Sequence, residues 1–480
     1  MAYITLISAP PQKPKLSETV KNLWKDWDIE RNLRFTKNKP KYPTVKENSP
    51  SPFTGITPSL GLLSIASSLR LANHDVEYLQ ADYLLNSGGE NKLIEEIQKS
   101  ASRSNIIGVT CTTPEFHNAA KILSIAKNMN PEIITIMGGP HATSCPKETL
   151  FNSKTDVIIL GEGEITTCEL ADSIKKKMKL ENIDLAIIPG LTWLDKNDVL
   201  NYSESRPIAN LNSIPSPAYD LIPYEIRHEC VIGIETSRGC PFSCFYCSER
   251  RYWGKPRFKS QEKIKNDLEE YLRYFPKTNI YIYDSSFNVC KNHLKRCLPV
   301  LKESGATFAC NVAALIDNNS LNNMSKSGIT QICLGIETSS DEIIKIMNRP
   351  VSFSDCFNFI RIASDIIPFV RGNWIVGLPG QTKESLSLEL SNLENILYND
   401  DLLDVSPRPY VPYPGTLPFE FPDKYGITIL SKHWPDYTRF SYPVYELDRL
   451  SADEIYQGFI DALKLTCYIP REIRLKSSNN

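Results

Sequence analysis

The sequence predicts an α/β chain: a doubly wound parallel sheet, then a partial barrel of six βα units, then a small C-terminal extension. Three observations predict it. Short β-branched runs alternate with helical runs along two separate stretches. A proline-bearing segment of little periodicity lies between them. The length, 480 residues, exceeds one ordinary core and asks for two or three domains.

In the first series the strands are "YITLISAP", "VEYLQADY", "IIGVTCTT", "IITIMGGP" and "DVIILGEGE". Between them lie the helical runs "SLGLLSIASSLRLA", "NKLIEEIQKS" and "FHNAAKILSIAKNM". Such alternation gives a parallel sheet covered on both faces. This domain is expected over residues 1–200, with an insert at 11–55. The insert carries "LSETVKNLWKDWDIERNLRF", with Trp24 and Trp27, which reads equally as a surface-packed helix or as a lid on the ligand side. Residues 201–225, with four prolines, are expected to form a linker.

In the second series, expected over 226–415, the strands are "CVIGIETS", "NIYIYD", "TFACNVA", "QICLGIE", "FVRGNWIVG" and "LLDVSP". Helices such as "QEKIKNDLEEYLRYF" and "KESLSLELSNLENILY" lie between them. Six units are too few for a closed eight-unit barrel and suit an open one, with functional loops at the strand C-termini. Residues 416–480 form the extension, ending in the helix "SADEIYQGFIDALKLTCY".

Composition narrows the function. With 41% apolar and 23% charged residues the chain is globular, and a formal charge of −2 asks for no nucleic acid. No run approaches the roughly 18 apolar residues of a membrane helix. "MAYITLISAPP" reads as a first strand rather than a signal peptide. Of 13 cysteines, ten are scattered singly, which is no disulfide framework. Cys240, Cys244 and Cys247 instead fall within "TSRGCPFSCFYCSERRYW", as C-x3-C-x2-C after the first strand of the second series. Three thiolates can hold three irons of a [4Fe–4S] cube and leave the fourth open for chemistry. The alternatives are a structural zinc knot, for which no second Cys/His hairpin is present, or a four-cysteine cluster completed by a remote thiol such as Cys290.

With these residues the chain resembles the radical S-adenosylmethionine (radical SAM) superfamily. The resemblance places Tyr246, the aromatic residue before the last cysteine, beside S-adenosylmethionine. It assigns Ser285 and Ser286 of "YDSSF" to the methionyl amine, and Glu337 of "GIETSSDEIIKIMNR" to cofactor binding. Gly377 and Gly380 of "VGLPGQT" would approach the adenosyl group, and "YPGT" at 413–416 resembles a motif near the barrel's end. "YDSSF" lacks the double-acid form common among relatives.

The N-terminal runs "TPSLGLLSIASSL", "MGGPHATSCPKETL" and "IILGEGE" resemble the cobalamin-binding domain that precedes the barrel in one radical SAM subfamily. Ligands in such sheets sit at strand C-termini. Gly138 and Gly139 would let backbone approach a corrin, Thr112 and Thr113 would supply hydroxyls, and His141 would be a loop residue positioning the cofactor. The D-x-H-x-x-G motif of cobalt-ligating histidines is absent, since "SAPPQKP" follows the first strand. His117 lies after the wrong strand, so cobalamin is expected without a histidine lower ligand.

The resemblance thus implies an enzyme that makes a 5′-deoxyadenosyl radical at a [4Fe–4S] cluster and methylates an unactivated carbon from cobalamin. One alternative is a cobalamin-type radical SAM rearrangement or cyclisation without methyl transfer; another is a non-catalytic iron–sulfur carrier or sensor. No catalytic acid or base is named, because hydrogen-atom transfer requires none. The implied partners are a small-molecule, lipid or peptide substrate and a flavodoxin- or ferredoxin-type electron donor. An oxygen-labile cluster implies a reducing cytoplasm.

Overall fold

A computed structural model describes residues 1–11, 16–35, 56–177, 179–276, 279–315, 317–399 and 403–478. Much of the predicted insert, residues 12–15 and 36–55, lies outside this range. The chain divides into two compact units.

The first unit is built on a seven-stranded sheet in the order β2-β1-β3-β4-β5-β6-β7. Its strands are β1 (Tyr3–Ser8), β2 (Asp75–Gln80), β3 (Ile106–Thr110), β4 (Ile134–Gly138), β5 (Val157–Ile159), β6 (Leu191–Leu194) and β7 (Leu200–Tyr202). The first five are parallel, with Ile4 in register with both Val76 and Ile106. Helices cover both faces, so β1 and β3 are buried almost throughout, which is why they read as unbroken apolar runs. The order reverses between β1 and β3, which opens a crevice at their C-terminal ends.

Two features of this unit were not expected. β6 and β7 extend the sheet antiparallel as a hairpin, whose turn is held by Asp195 Oδ1 accepting from Asn197 N (2.8 Å) and Val199 N (2.9 Å). The predicted linker therefore begins inside the last strand. It is also packed: Tyr219 is fully buried, edge-on to Tyr271 at 5.3 Å, and Ser216 Oγ donates to Asp267 at 2.6 Å. The unit runs on to Ile232 and takes in Lys265–Pro276.

The second unit carries a six-stranded parallel sheet in sequential order. Its strands are β8 (Gly233–Ile234), then β11 (Asn279–Ile282), β12 (Thr307–Val312), β13 (Ile329–Glu337), β14 (Phe369–Val376) and β15 (Leu403–Pro409). Between β8 and β11 the short strands β9 (Ser237–Arg238) and β10 (Arg257–Phe258) pair antiparallel as a separate hairpin. Sequential order with helical crossovers is the open barrel that the sequence predicts. β13 and β14 alternate between buried and half-buried positions. One face packs on helices, and the other lines the lumen with polar residues.

The C-terminal extension is part of this unit. Its helix Ala452–Ser478 packs on β15 and on the helix Lys383–Asn399. Phe459 and Leu463 are fully buried, so it covers the side of the last strand. The helix Glu18–Phe35 also belongs here and packs on the C-terminal helix. Trp24 meets Phe440 edge-on at 5.0 Å, the arrangement of a surface-packed helix. The Trp27 side chain lies outside the described residues. No helix among the described residues is long and apolar enough to cross a membrane.

If the C-terminal helix seals the barrel, Leu463→Ala should lower the unfolding free energy by about 2–5 kcal/mol through cavity formation. Leu388→Ala, at a position 64% exposed, should change it by no more than about 0.5 kcal/mol. Chemical denaturation of the two variants tests this; equal effects would show that the helix is not part of the core.

Candidate functional site

The three thiols sit on the hairpin between β9 and β10, and a buried carboxylate fixes its base. Asp284, at the end of β11 and fully buried, accepts from Thr236 N (2.7 Å), Ser237 N (2.9 Å), Thr236 Oγ1 (2.6 Å) and Ser237 Oγ (2.6 Å). His293 Nε2 lies 2.8 Å from Thr236 Oγ1. A second buried charge group flanks the base. Glu235 bonds Arg238 Nε at 2.9 and 3.1 Å and lies 3.4 Å from Lys259 Nζ. Burial opposes its ionisation, but the two cations outweigh it and hold its pKa down to about 2. Gly239 then turns the chain at φ +88°, where a Cβ would come within 2.9 Å of the Gly254 and Lys255 carbonyl oxygens.

Cys240, Cys244 and Cys247 are half-buried free thiols. Cys247 N donates to Cys244 O at 3.1 Å, and Arg250 Nη1 donates to Cys240 O at 3.2 Å. Burial raises all three pKa values, Cys244 to about 11 and Cys247 to about 12. Cys240 and Cys244 add to the rise at Cys247, so the sulfurs are electrostatic neighbours. Among the described residues no three His, Cys, Asp or Glu side chains converge as for a single metal ion. Three thiolates are soft donors of the kind iron–sulfur clusters take, one for each of three irons, so the donor set fits a cluster with one iron left open. Cys290 caps the helix Lys291–Ser304 and acts on Cys297.

Glu337 stands at the end of β13 with φ +67°, a left-handed backbone rare for a residue with a side chain. Its carboxylate folds back over Gly335, where a Cβ would lie 2.0 Å from Oε1; this is the physical content of "GIE". Tyr246 OH donates to Glu337 Oε1 at 3.3 Å. Burial raises the Glu337 pKa, opposed by the Arg349 charge and the Tyr246 hydroxyl. Arg349 donates to the carbonyls of Ile336 (2.7 Å) and Gly335. Ser285 Oγ donates to Glu249 Oε2 at 2.5 Å, while Ser286 is buried and bonded to Asn288. Of the two serines, Ser285 is thus the one beside the cysteine hairpin. Gly377 and Gly380, at φ +86° and +91°, have local reasons to be glycine: a Cβ would strike Tyr445 OH at 2.3 Å and Ile346 Cδ1 at 2.8 Å respectively.

In the first unit the expected residues cluster where β3 and β4 end. Gly139 has φ +95°, and a Cβ there would lie 2.5 Å from Thr110 Oγ1 and 2.9 Å from Cys111 O. Gly138 would meet nothing closer than 3.6 Å, so packing alone does not require its missing side chain. His141 is not a loop residue: it lies in the helical turn Pro140–Ser144, is fully buried, and packs tilted against the Phe116 ring at 4.6 Å. Burial and the His117 charge push its pKa down to about 4, so it is neutral near pH 7. Thr113 is buried, its hydroxyl 3.4 Å from His141 Nδ1, whereas Thr112 is exposed. His117 is exposed on the first turn of the helix Phe116–Met129.

Comparison with known proteins gives these two units their family. Residues 51–171 match the B12 binding domain, and residues 234–388 match the radical SAM superfamily. The chain is a radical SAM enzyme with a B12 binding domain. An uncharacterized methyltransferase of Pyrococcus horikoshii is 27% identical over 83% of this chain and 85% of its own length. The anaerobic magnesium-protoporphyrin IX monomethyl ester cyclase of Cereibacter sphaeroides is 24% identical over 85% of this chain and 66% of its own length. The structure of the radical S-adenosylmethionine methyltransferase TsrM from Kitasatospora setae, with cobalamin and a [4Fe–4S] cluster bound, aligns with TM-score 0.66 at 14% identity. It covers 96% of this chain and 82% of TsrM, a likeness of fold.

For this radical SAM chain, motif reading passed over Asp284 and Arg349. Both lie within quoted segments, in "YDSSF" and at the end of "GIETSSDEIIKIMNR", but their roles come from contacts distant in sequence. Asp284→Asn exchanges one acceptor oxygen for a donor that faces N–H and O–H groups. We expect a loss of about 3 kcal/mol in stability, the scale for hydrogen bonds to a buried charge. Less than stoichiometric iron should remain after anaerobic reconstitution. Denaturation and iron assay test this; wild-type values in both would show that the hairpin needs no clamp.

Proposed function

We propose that the chain is a cobalamin-dependent radical SAM C-methyltransferase. The observation that carries this reading is the thiol hairpin at the end of the first barrel strand, beside Tyr246 and Glu337, in a chain with a B12 binding domain. Cys240, Cys244 and Cys247 would hold a [4Fe–4S] cluster, and Tyr246, Ser285 and Glu337 would contact S-adenosylmethionine. The Gly138–Gly139 backbone and Thr112 would contact cobalamin, which takes no histidine from the loop after β1 because "SAPPQKP" holds none. When bound, the cluster and S-adenosylmethionine supply a 5′-deoxyadenosyl radical that abstracts hydrogen from the substrate, and cobalamin supplies the methyl group.

This chain's own residues do the positioning. Asp284 and Gly239 set the hairpin's path, Tyr246 bonds the Glu337 carboxylate, and Arg349 fixes the backbone before it, so that the carboxylate would accept from an ammonium group. The barrel wall limits access of water to a reactive radical. A flavodoxin- or ferredoxin-type donor and a reducing cytoplasm suit an exposed, oxygen-labile centre. The cyclase among the relatives favours a second reading, radical ring closure without methyl transfer.

The test is anaerobic reconstitution with iron, sulfide and cobalamin, followed by reaction with S-adenosylmethionine and a strong reductant. The wild type should retain cobalamin through gel filtration and release 5′-deoxyadenosine. The variant with all three cysteines changed to Ala should keep cobalamin but release none. Release of 5′-deoxyadenosine by that variant would contradict the cluster assignment, and failure of the wild type to retain cobalamin would contradict the methyl-transfer reading.

A further inference from the structure

The lumen wall formed by β13, β14 and β15 is unusually charged. In parallel register Cys333 lies beside Arg371 and Arg371 beside Asp404; then Asn373 lies beside Ser406, and Ile375 beside Arg408. Arg371 is answered locally, with Nε and Nη2 each 2.6 Å from Asp404 Oδ2. Asn373 Nδ2 donates to Cys333 Sγ at 3.3 Å, while Asn373 Oδ1 has no partner among the described residues.

Arg408 is different. Its Nε is buried without a partner among the described residues, and Nη2 reaches only Ser406 Oγ, at 3.5 Å. The charges acting on it are repulsive from Arg439 and Arg371, and attractive from Cys333 and Glu337. Glu337 is itself engaged by Arg349 and Tyr246. Desolvation, with these like charges, lowers the Arg408 pKa to about 9. A guanidinium kept in such a place costs stability unless something else completes it. Its planar fork of donors matches a carboxylate or a phosphoryl group.

We propose that Arg408, with Arg371 and Asn373 on the neighbouring strand, forms a subsite for an oxyanion of the substrate, a carboxylate or a phosphoryl group. The inference rests on the radical SAM reading, because it takes the barrel lumen to be where the substrate reacts. It narrows the substrate to a molecule with an anionic head. A neutral lipid would leave Arg408 uncompensated. S-adenosylmethionine also carries a carboxylate, but Arg349, which follows the helix Asp341–Ile346, is the guanidinium that acts on Cys244 and Tyr246, whereas Arg408 stands on β15.

The test uses the reconstituted full chain with pyrophosphate, inorganic phosphate and S-adenosylmethionine as separate probes in calorimetric titration. Wild type should bind pyrophosphate or phosphate, and Arg408→Gln should weaken that binding at least about tenfold, with only partial recovery in Arg408→Lys, which restores the charge but not the planar fork. The affinity for S-adenosylmethionine should fall much less than that for the anion, because Arg408 acts on Glu337 through its charge alone. Equal anion binding by wild type and Arg408→Gln, or no anion binding at all, would overturn the subsite while leaving the radical SAM reading intact. Selective loss of S-adenosylmethionine affinity would assign Arg408 to the cofactor instead. Should Arg408→Gln fail to fold, hydrogen exchange of the wild type decides: pyrophosphate should slow amides over 369–376 and 403–409, and unchanged rates would overturn the proposal.

Discussion

The second unit depends on one buried carboxylate. The thiol hairpin has little to hold its shape by itself, because β9 and β10 pair over only two residues each. Asp284 solves this by taking four donors from Thr236 and Ser237 into a site without solvent access. That ties the exit of β8 to the end of β11 and fixes the direction in which the hairpin leaves the sheet. Left unpaired, the same carboxylate would cost several kcal/mol, so the clamp and the strand ends are retained together.

The same logic recurs at Glu337. A left-handed residue with a long side chain is strained, and the strain persists only where surroundings over-determine it. Here Gly335 makes room, Tyr246 donates to the carboxylate, and Arg349 pins the carbonyls of Gly335 and Ile336 just before it and adds its charge. Stability is spent on placing an acceptor beside the cysteines. Arg408 shows the converse, a half-buried cation whose Nε is enclosed without a partner among the described residues.

Much of this was legible in the chain. Strands with helices on both faces must be apolar on both sides, so β1, β3 and β4 are unmistakable. The cysteine spacing marks its own loop. The β6–β7 hairpin was missed because its signal is a polar Asx turn at Asp195, with Asp198 left-handed, inside a stretch that reads as a domain end. His141 misled for a different reason. Histidine in "GGPHAT" reads as a loop residue, but it lies in a helical turn with its ring against Phe116, a contact that only the fold creates. The lumen charges had a signal of period two, Arg371 and Asn373 in "FVRGNWIV" and Asp404, Ser406 and Arg408 in "LDVSPRP". Alternating polar positions in a parallel strand mean that one face meets a cavity rather than a helix.

The central claim is that three thiols leave one iron open at the end of the first barrel strand. Mössbauer spectroscopy of the chain reconstituted with iron-57 tests it most directly. Adding S-adenosylmethionine should change the parameters of one iron in four and leave three as they were. Four irons that remain indistinguishable, or a cluster that survives the loss of any single cysteine of the triad, would contradict the account.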